Sequence, residues 1–471
     1  MANSNAGKAG RMMRLSRDVP QSRDAQQFQS HLQVLANIDT RVMARLDAII
    51  VPASRAAANL DHAVTLARAV GCWLVVLCSL NAQAEEVNNL LDLRNFNQAI
   101  VIDLPDGYAI PDLDLATSRL DNLGLPRRCV SPNGDLSVKR NIGLLLSRML
   151  GWERIFFLDD DIRDLEWSDL CEAATMLGPY GAVGMRAVDF PDNSVVCHGH
   201  RKTGGYQDVF ISGSVLGIFC SQLVAFFPEI YNEDWFFFYP AARNGRLGRH
   251  SRDVTQLRYD PFANPERAAG QEFGDIMAEG LYGLLHNRIS IEQATSDYWR
   301  MFLSSRMSFL QGVLTRSDRI EPLLRKRIVS SIQTAIAWCR QIEPLMCEHY
   351  INLWQRDLGI WKERLSRVPT GISSKAALAE LDLASSGPSA HALAGIMSDR
   401  AYGRYEEVIA PDAGKWSQGI NVLTAGRHRR DDSYRLHEIF YADLVELSVR
   451  AEPVELTALT ELSATCPVPQ G

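Results

Sequence analysis

The nine cysteines of this chain include no Cys-x-x-Cys pair, and their odd number suits neither a closed disulfide framework nor a structural zinc site. Reduced thiols are the expectation, with Cys72, Cys78 and Cys220 read as core residues in apolar surroundings. Long apolar runs are also missing. The longest, 69–80, is too short to cross a bilayer, and the polar N-terminal stretch has no apolar segment of the signal-peptide kind. The expected setting is cytoplasmic. A surplus of positive charge is absent too: a formal net charge of −7 argues against broad binding to nucleic acid or anionic membrane, though a local basic groove for a phosphorylated ligand stays open. Finally, no G-x-G-x-x-G follows the first strand-like run and no G-x-x-x-x-G-K-[ST] occurs, which weakens dinucleotide and P-loop readings.

What is present is a globular composition, 46% hydrophobic and 22% charged over 471 residues, enough for two or three domains with a large core. Residues 1–40 are polar and weakly patterned and read as a flexible arm, with a short helix near 28–35. From Leu46 strands and helices alternate: a strand at Asp47-Ala-Ile-Ile-Val-Pro, a helix over 59–70, a strand at Cys72-Trp-Leu-Val-Val-Leu-Cys, a helix over 84–93 and a strand at 98–103. Such alternation predicts a mostly parallel sheet flanked by helices.

The stretch 134–161 organises the chain. Asp135 or Ser137 can cap a helix whose Ile142, Leu145, Leu146 and Met149 share one face, and Gly151 stops it. Arg154-Ile-Phe-Phe-Leu then reads as a buried strand that ends abruptly in Asp159, Asp160 and Asp161. In an open α/β sheet the carboxyl ends of strands are where ligands bind, and adjacent carboxylates repel least with a hard divalent cation between them. The alternative is a loop of solvated acids capping the next helix.

Beyond it, Gly181-Ala-Val-Gly-Met-Arg, Ser194-Val-Val-Cys-His-Gly-His and Ser214-Val-Leu-Gly-Ile-Phe read as shorter strands of mixed direction. In Phe227-Pro-Glu-Ile-Tyr-Asn-Glu-Asp-Trp-Phe-Phe-Phe-Tyr, Asn232 can cap a short helix with Glu233 and Asp234 in its first turn, limited or kinked by Pro240. Acids there can be simple dipole partners, and the aromatic run simple core; equally, apolar rings around a carboxylate desolvate it toward a general base's working range. From Gln271 the periodicity is helical, with Glu343-Pro344 separating two helices. After Pro369 come an Ala/Ser/Gly/Pro-rich region, a basic patch at Arg427-His-Arg-Arg and a helix over 438–449.

Taken together, residues from about 46 to 262 resemble the GT-A fold glycosyltransferases, particularly the inverting enzymes of family 2. The resemblance rests on Val51-Pro-Ala-Ser-Arg after the first strand, Lys139-Arg-Asn-Ile-Gly, Phe157-Leu-Asp-Asp-Asp as an Asp-x-Asp motif, Gly213, and Glu233-Asp-Trp followed by Arg243-Asn-Gly. It implies a Rossmann-like mixed sheet over 41–275; the helical periodicity that follows reads as an appended helical domain over 276–368, and the composition after it as a partly ordered region over 369–471. It also implies a nucleotide-diphospho-sugar donor, an acceptor hydroxyl of unknown identity, and transfer with inversion. By the same resemblance Pro52 and Ser54 line the nucleotide pocket, Arg140 and Lys139 supply charge to the nucleotide and phosphates, and Asp159 contacts the ribose with Asp160 nearby. Asp161, with Asp159, would hold Mg²⁺ or Mn²⁺, Asp234 would be the base, and Glu233 and Trp235 would position the acceptor. Where relatives carry an acid after the second strand this chain has Cys78-Ser-Leu, leaving Asp103 as the substitute; His198, His200 and His250 are the candidates for a late metal-binding histidine. A sugar nucleotidyltransferase would need a glycine-rich basic loop that Ala53-Ser-Arg-Ala-Ala-Ala-Asn does not supply. The non-enzymatic alternative is a GT-A-like scaffold whose helical region recruits a partner or a second copy.

Overall fold

Strand β1 (Ala48–Ala53) is buried at every position, as a strand with neighbours on both edges and helices on both faces must be. The chain then runs through α1 (Asp61–Val70), β2 (Trp73–Cys78), α2 (Ala84–Leu93), β3 (Ala99–Asp103), α3 (Leu136–Leu150) and β4 (Arg154–Leu158). Helix α3 stops where the sequence predicts, at Gly151 in the left-handed region (φ 73°), whose N–H closes on Ser147 and Arg148. Asp135 stands at the N-cap but makes no side-chain capping bond; its carboxylate pairs instead with Lys139 at 3.2 Å. The structure, a computed structural model, describes residues 34–35, 44–119, 135–188, 194–206 and 210–386. These belong to one compact unit, 1–398; a second unit, 399–471, lies outside the described residues, as do the basic patch at 427–430, the helix read over 438–449 and most of the one near 28–35.

The remaining elements are β5 (Ile162–Arg163), α4 (Trp167–Met176), β6 (Ala182–Val188), α5 (Val195–Lys202), β7 (Val215–Phe219), α6 (Glu233–Arg243) and β8 (Leu247–Gln256). After them come α7 (Glu266–His286), α8 (Ser296–Arg316), α9 (Pro322–Cys339), α10 (Pro344–Arg367) and α11 (Ser374–Glu380). The eight strands form one sheet in the order β3-β2-β1-β4-β7-β6-β8-β5. Strands β3, β2, β1 and β4 are parallel, β7 is antiparallel to both its neighbours, β6 and β8 are parallel, and β5 is antiparallel to β8. The expected mixed α/β sheet flanked by helices is therefore present. Because β1 lies beside β4, with Ile50 opposite Phe157, the carboxyl ends of two strands distant in sequence meet. That pairing ends at Ile50, two residues before Pro52, so the proline is accommodated at the strand's end.

Alternation along the strands splits the core. Ile49, Val51 and Phe156 face one hydrophobic cluster, under α1, α2 and α4, while Ile50 and Phe157 face the other. The second cluster continues from α3 into the helical region, through Phe236, Met277, Trp299, Trp354 and Trp361. The N–H groups of Ala116 and Thr117 after β3 both bond to buried Asp357 of α10, at 2.9 and 2.7 Å.

Two local readings change. The segment 194–200 is not a strand but opens α5: Ser194 Oγ accepts from the Cys197 N–H at 3.2 Å, and a Cβ on Gly199 would stand 3.1 Å from Ile332 of α9. A capping serine and close packing on α9 override the strand preference of Val195 and Val196. Asn232 precedes α6 but does not cap it; at φ 64° it turns its amide to Asp275 of α7, 2.9 Å away. Strand β8, Leu-Gly-Arg-His-Ser-Arg-Asp-Val-Thr-Gln, carries too many polar residues to stand out in the sequence.

Candidate functional site

The acidic run leaves the end of β4, and each of its carboxylates has a different fate. Asp159 takes both oxygens to Arg140 Nη2, at 3.0 and 3.2 Å. Asp160 turns back under β1, where its Oδ2 accepts from the Ser54 and Arg55 backbone N–H groups, each at 2.8 Å, and its Oδ1 from the Arg55 guanidinium. Asp161 Oδ2 accepts from Arg55 Nη2 at 2.8 Å and from Gln256 Nε2 at 3.1 Å, while its Oδ1 is buried with no hydrogen-bond partner among the described residues.

Arg140, on α3 and fully enclosed, spans the site. Its Nη1 donates to Glu233 Oε1 at 2.5 Å, so one guanidinium joins the acidic run to the first turn of α6. Gly213 makes that reach possible, because a Cβ there would come within 2.5 Å of Arg140 Nη1. The Gly213 N–H donates to Asp234 Oδ2 at 2.7 Å, and the Trp235 N–H to Asp234 Oδ1 at 2.9 Å. Trp235 stacks on Phe210 with ring centroids 5.2 Å apart, and the Tyr282 hydroxyl donates to its carbonyl at 3.2 Å.

Five carboxylates, Asp159, Asp160, Asp161, Glu233 and Asp234, thus share the two guanidiniums of Arg55 and Arg140. Burial dominates the titration of Asp159, Asp161, Glu233 and Asp234. It pushes Asp159 up to about 6 and Glu233 up to about 8 against the lowering effect of Arg140, and raises Asp234 and Asp161 as well. Such a site favours an added cation, and an acid with a raised pKa can take a proton near neutral pH.

Of the other singled-out residues, Ser54 meets the acidic run through its N–H on Asp160 and Lys139 lies behind the same loop. Lys139 is buried with its ammonium committed to Ala53 O (2.7 Å), Ser79 Oγ (2.6 Å) and Asp135, beneath the ends of β1 and β2. Pro52 is buried in β1, and Ser54 is half-buried just beyond it. Cys78, its thiol pushed up to about 12 by burial, and exposed Asp103 end β2 and β3 side by side. His250 pairs with Glu172 at 3.4 Å, His198 packs edge-on to Tyr259, and His200 Nε2 donates to Tyr206 O at 3.1 Å. Sequence reasoning missed Arg55 and Gln256 as partners of the acidic run. Arg55 was discoverable, since it follows β1 at the same sheet edge as the acids; Gln256 was not, because only the short β5–β8 pairing, Ile162 opposite Gln256, brings it there.

A solved glycosyltransferase structure is similar. The mannosyltransferase PcManGT from Pyrobaculum calidifontis, in complex with GDP-Man and Mn²⁺, matches at 12% identity over 68% of this chain and 90% of that one, with a TM-score of 0.36. That superposition is too loose to carry an argument about chemistry, which rests on the residues above. No family model and no curated protein matches the sequence.

Proposed function

We propose that the protein is a glycosyltransferase that moves a sugar from a nucleotide-diphospho-sugar to an acceptor hydroxyl, with inversion and with Mg²⁺ or Mn²⁺ as cofactor. The observation that carries this reading is the Arg140 bridge, which joins the two acidic motifs, Asp159–Asp161 and Glu233–Asp234, in one site. The residues fit a hard divalent ion. Carboxylate oxygens are its preferred donors, Asp161 Oδ1 is buried without a partner, and such ions take their remaining ligands from phosphates and water. Asp161, with Asp159, would hold it. When bound, the ion neutralises charge on the departing nucleoside diphosphate as a Lewis acid.

The chain's own residues do the rest. Asp160 ties down the Ser54–Arg55 backbone, so that the loop after β1 presents a fixed wall for the nucleotide beside Pro52. Lys139 braces the same loop from beneath through Ala53 O. Asp159, held by Arg140, faces the ribose. Asp234, oriented by the Gly213 and Trp235 N–H groups and raised by burial, takes the acceptor's proton, and Glu233 and Trp235 position the acceptor. Attack from the face opposite the diphosphate inverts the anomeric centre.

The test is a thermal-shift screen of UDP-, GDP- and dTDP-sugars with and without Mn²⁺, followed by transfer assays on two variants. Asp161→Ala should lose Mn²⁺-dependent donor binding; Asp234→Asn should keep it and lose transfer by about 10²–10⁴-fold. Full donor affinity in the first, or near wild-type transfer in the second, refutes the corresponding assignment. Donor binding without turnover on any acceptor favours a non-catalytic binding protein.

A further inference from the structure

The Arg55 side chain has no part in the reading just given, yet it holds two of the three acidic side chains. Its guanidinium lies on Asp160 and Asp161, whose side chains are 2% and 4% exposed, whereas its own is 44% exposed. Among the described residues whose side chains meet the Asp160 and Asp161 carboxylates, Arg55 reaches them from the solvent side and Gln256 is buried. Its main chain is fixed independently, since the Ser54 and Arg55 N–H groups hold Asp160 Oδ2 at 2.8 Å each. The side chain can thus leave without the loop moving. Asp161, meanwhile, is only half satisfied, because Oδ2 meets Arg55 and Gln256 while buried Oδ1 has no hydrogen-bond partner among the described residues.

We infer that Arg55 competes with a divalent cation for Asp161 and, once released, pairs with the diphosphate of the nucleotide. This rests on the metal site proposed above. A cation and a guanidinium directed at one small carboxylate repel each other, so each weakens the other's hold. A freed arginine on a fixed loop, next to an ion that binds phosphate, is suited to bidentate recognition of phosphate oxygens. Arg55 would then keep the acidic run neutralised until metal and nucleotide arrive together, which couples the binding of the two.

The experiment uses the full chain as wild type, Arg55→Ala, Arg55→Lys and Asp161→Ala. Mn²⁺ alone is titrated calorimetrically, then UDP and GDP each at saturating Mn²⁺. Arg55→Ala should bind Mn²⁺ alone about two- to fivefold more tightly, the factor expected for removing one half-exposed ion-pair partner, and bind the diphosphate more weakly than wild type. Arg55→Lys should fall between them. Unchanged or weaker Mn²⁺ binding in Arg55→Ala, with wild-type binding measurable and abolished by Asp161→Ala, overturns the competition while leaving the metal site standing. Equal diphosphate affinity in wild type and Arg55→Ala overturns the second role. Absence of Mn²⁺ binding in wild type, with or without nucleotide, overturns the metal site and the competition together.

Discussion

Two groups of carboxylates gather around arginine in this fold, and they differ in what closes them. Arg306 of α8 meets Glu272, Asp275 and Glu279, which line one face of α7; its Nε and Nη2 grip Glu272 at 2.8 and 2.9 Å, Nη2 also reaches Asp275 at 2.9 Å, and every side chain is 3% exposed or less. The candidate site uses the same chemistry with five acids to two guanidiniums instead of three to one, and it opens to solvent at Arg55 (44%) and Asp159 (18%). Burial pushes Glu272 up to about 7, much as it does Glu233, so perturbed titration alone does not separate the two groups. Access to solvent does. The sealed group supports the open one, since Asp275 also accepts from Asn232, the residue just before Glu233.

Breaking the sealed group should have the largest effect. Arg306→Met leaves three buried carboxylates without their guanidinium and is expected to cost about 3–5 kcal/mol in urea unfolding, with wild-type stability refuting the supporting role. Gly213→Ala tests the open group from inside. Its new Cβ meets the Arg140 guanidinium at 2.5–2.9 Å, so we expect a loss of about 1–3 kcal/mol by the same measurement, together with weaker donor binding. Glu233→Gln sharpens the comparison through pH. The folded state raises this carboxyl from 4.5 to about 8, so its protonated form contributes stability that is complete below pH 4.5 and lost as pH rises toward 8. The variant should therefore show a shallower fall in melting temperature across that window than wild type, and an unchanged slope would remove Glu233 as its source. Arg55→Ala should have the smallest effect on stability, less than about 1 kcal/mol, because its ion pairs are half-exposed at the arginine end. A cost comparable to that of Arg306→Met would mean that the open group is structural after all.

Much of the fold was legible where local pattern and burial agree. The apolar runs of β1 to β4 are each flanked by helices with one apolar face, and Gly151 ends α3 in the left-handed conformation its position suggests. Legibility failed where neighbours overrule the pattern. Val195 and Val196 favour a strand but sit behind a capping serine on a helix pressed against α9, and Asn232 looks like a cap but answers to Asp275. At the candidate site the residue types stood out, since acids after a buried strand and acids beside aromatic rings are unusual, but their partners did not.

The sequence by itself determined the parallel half of the sheet and the acidic end of β4, because period, apolar runs and stop signals act over a few residues and need no distant partner. Only the tertiary structure decided which guanidinium meets which carboxylate. Arg55 reaches Asp160 and Asp161 because β1 pairs with β4 across about a hundred residues of chain, and Arg140 reaches both Asp159 and Glu233 because Gly213 has no Cβ in its path. Electrostatic contacts of this kind depend on distances of a few ångströms that packing alone sets.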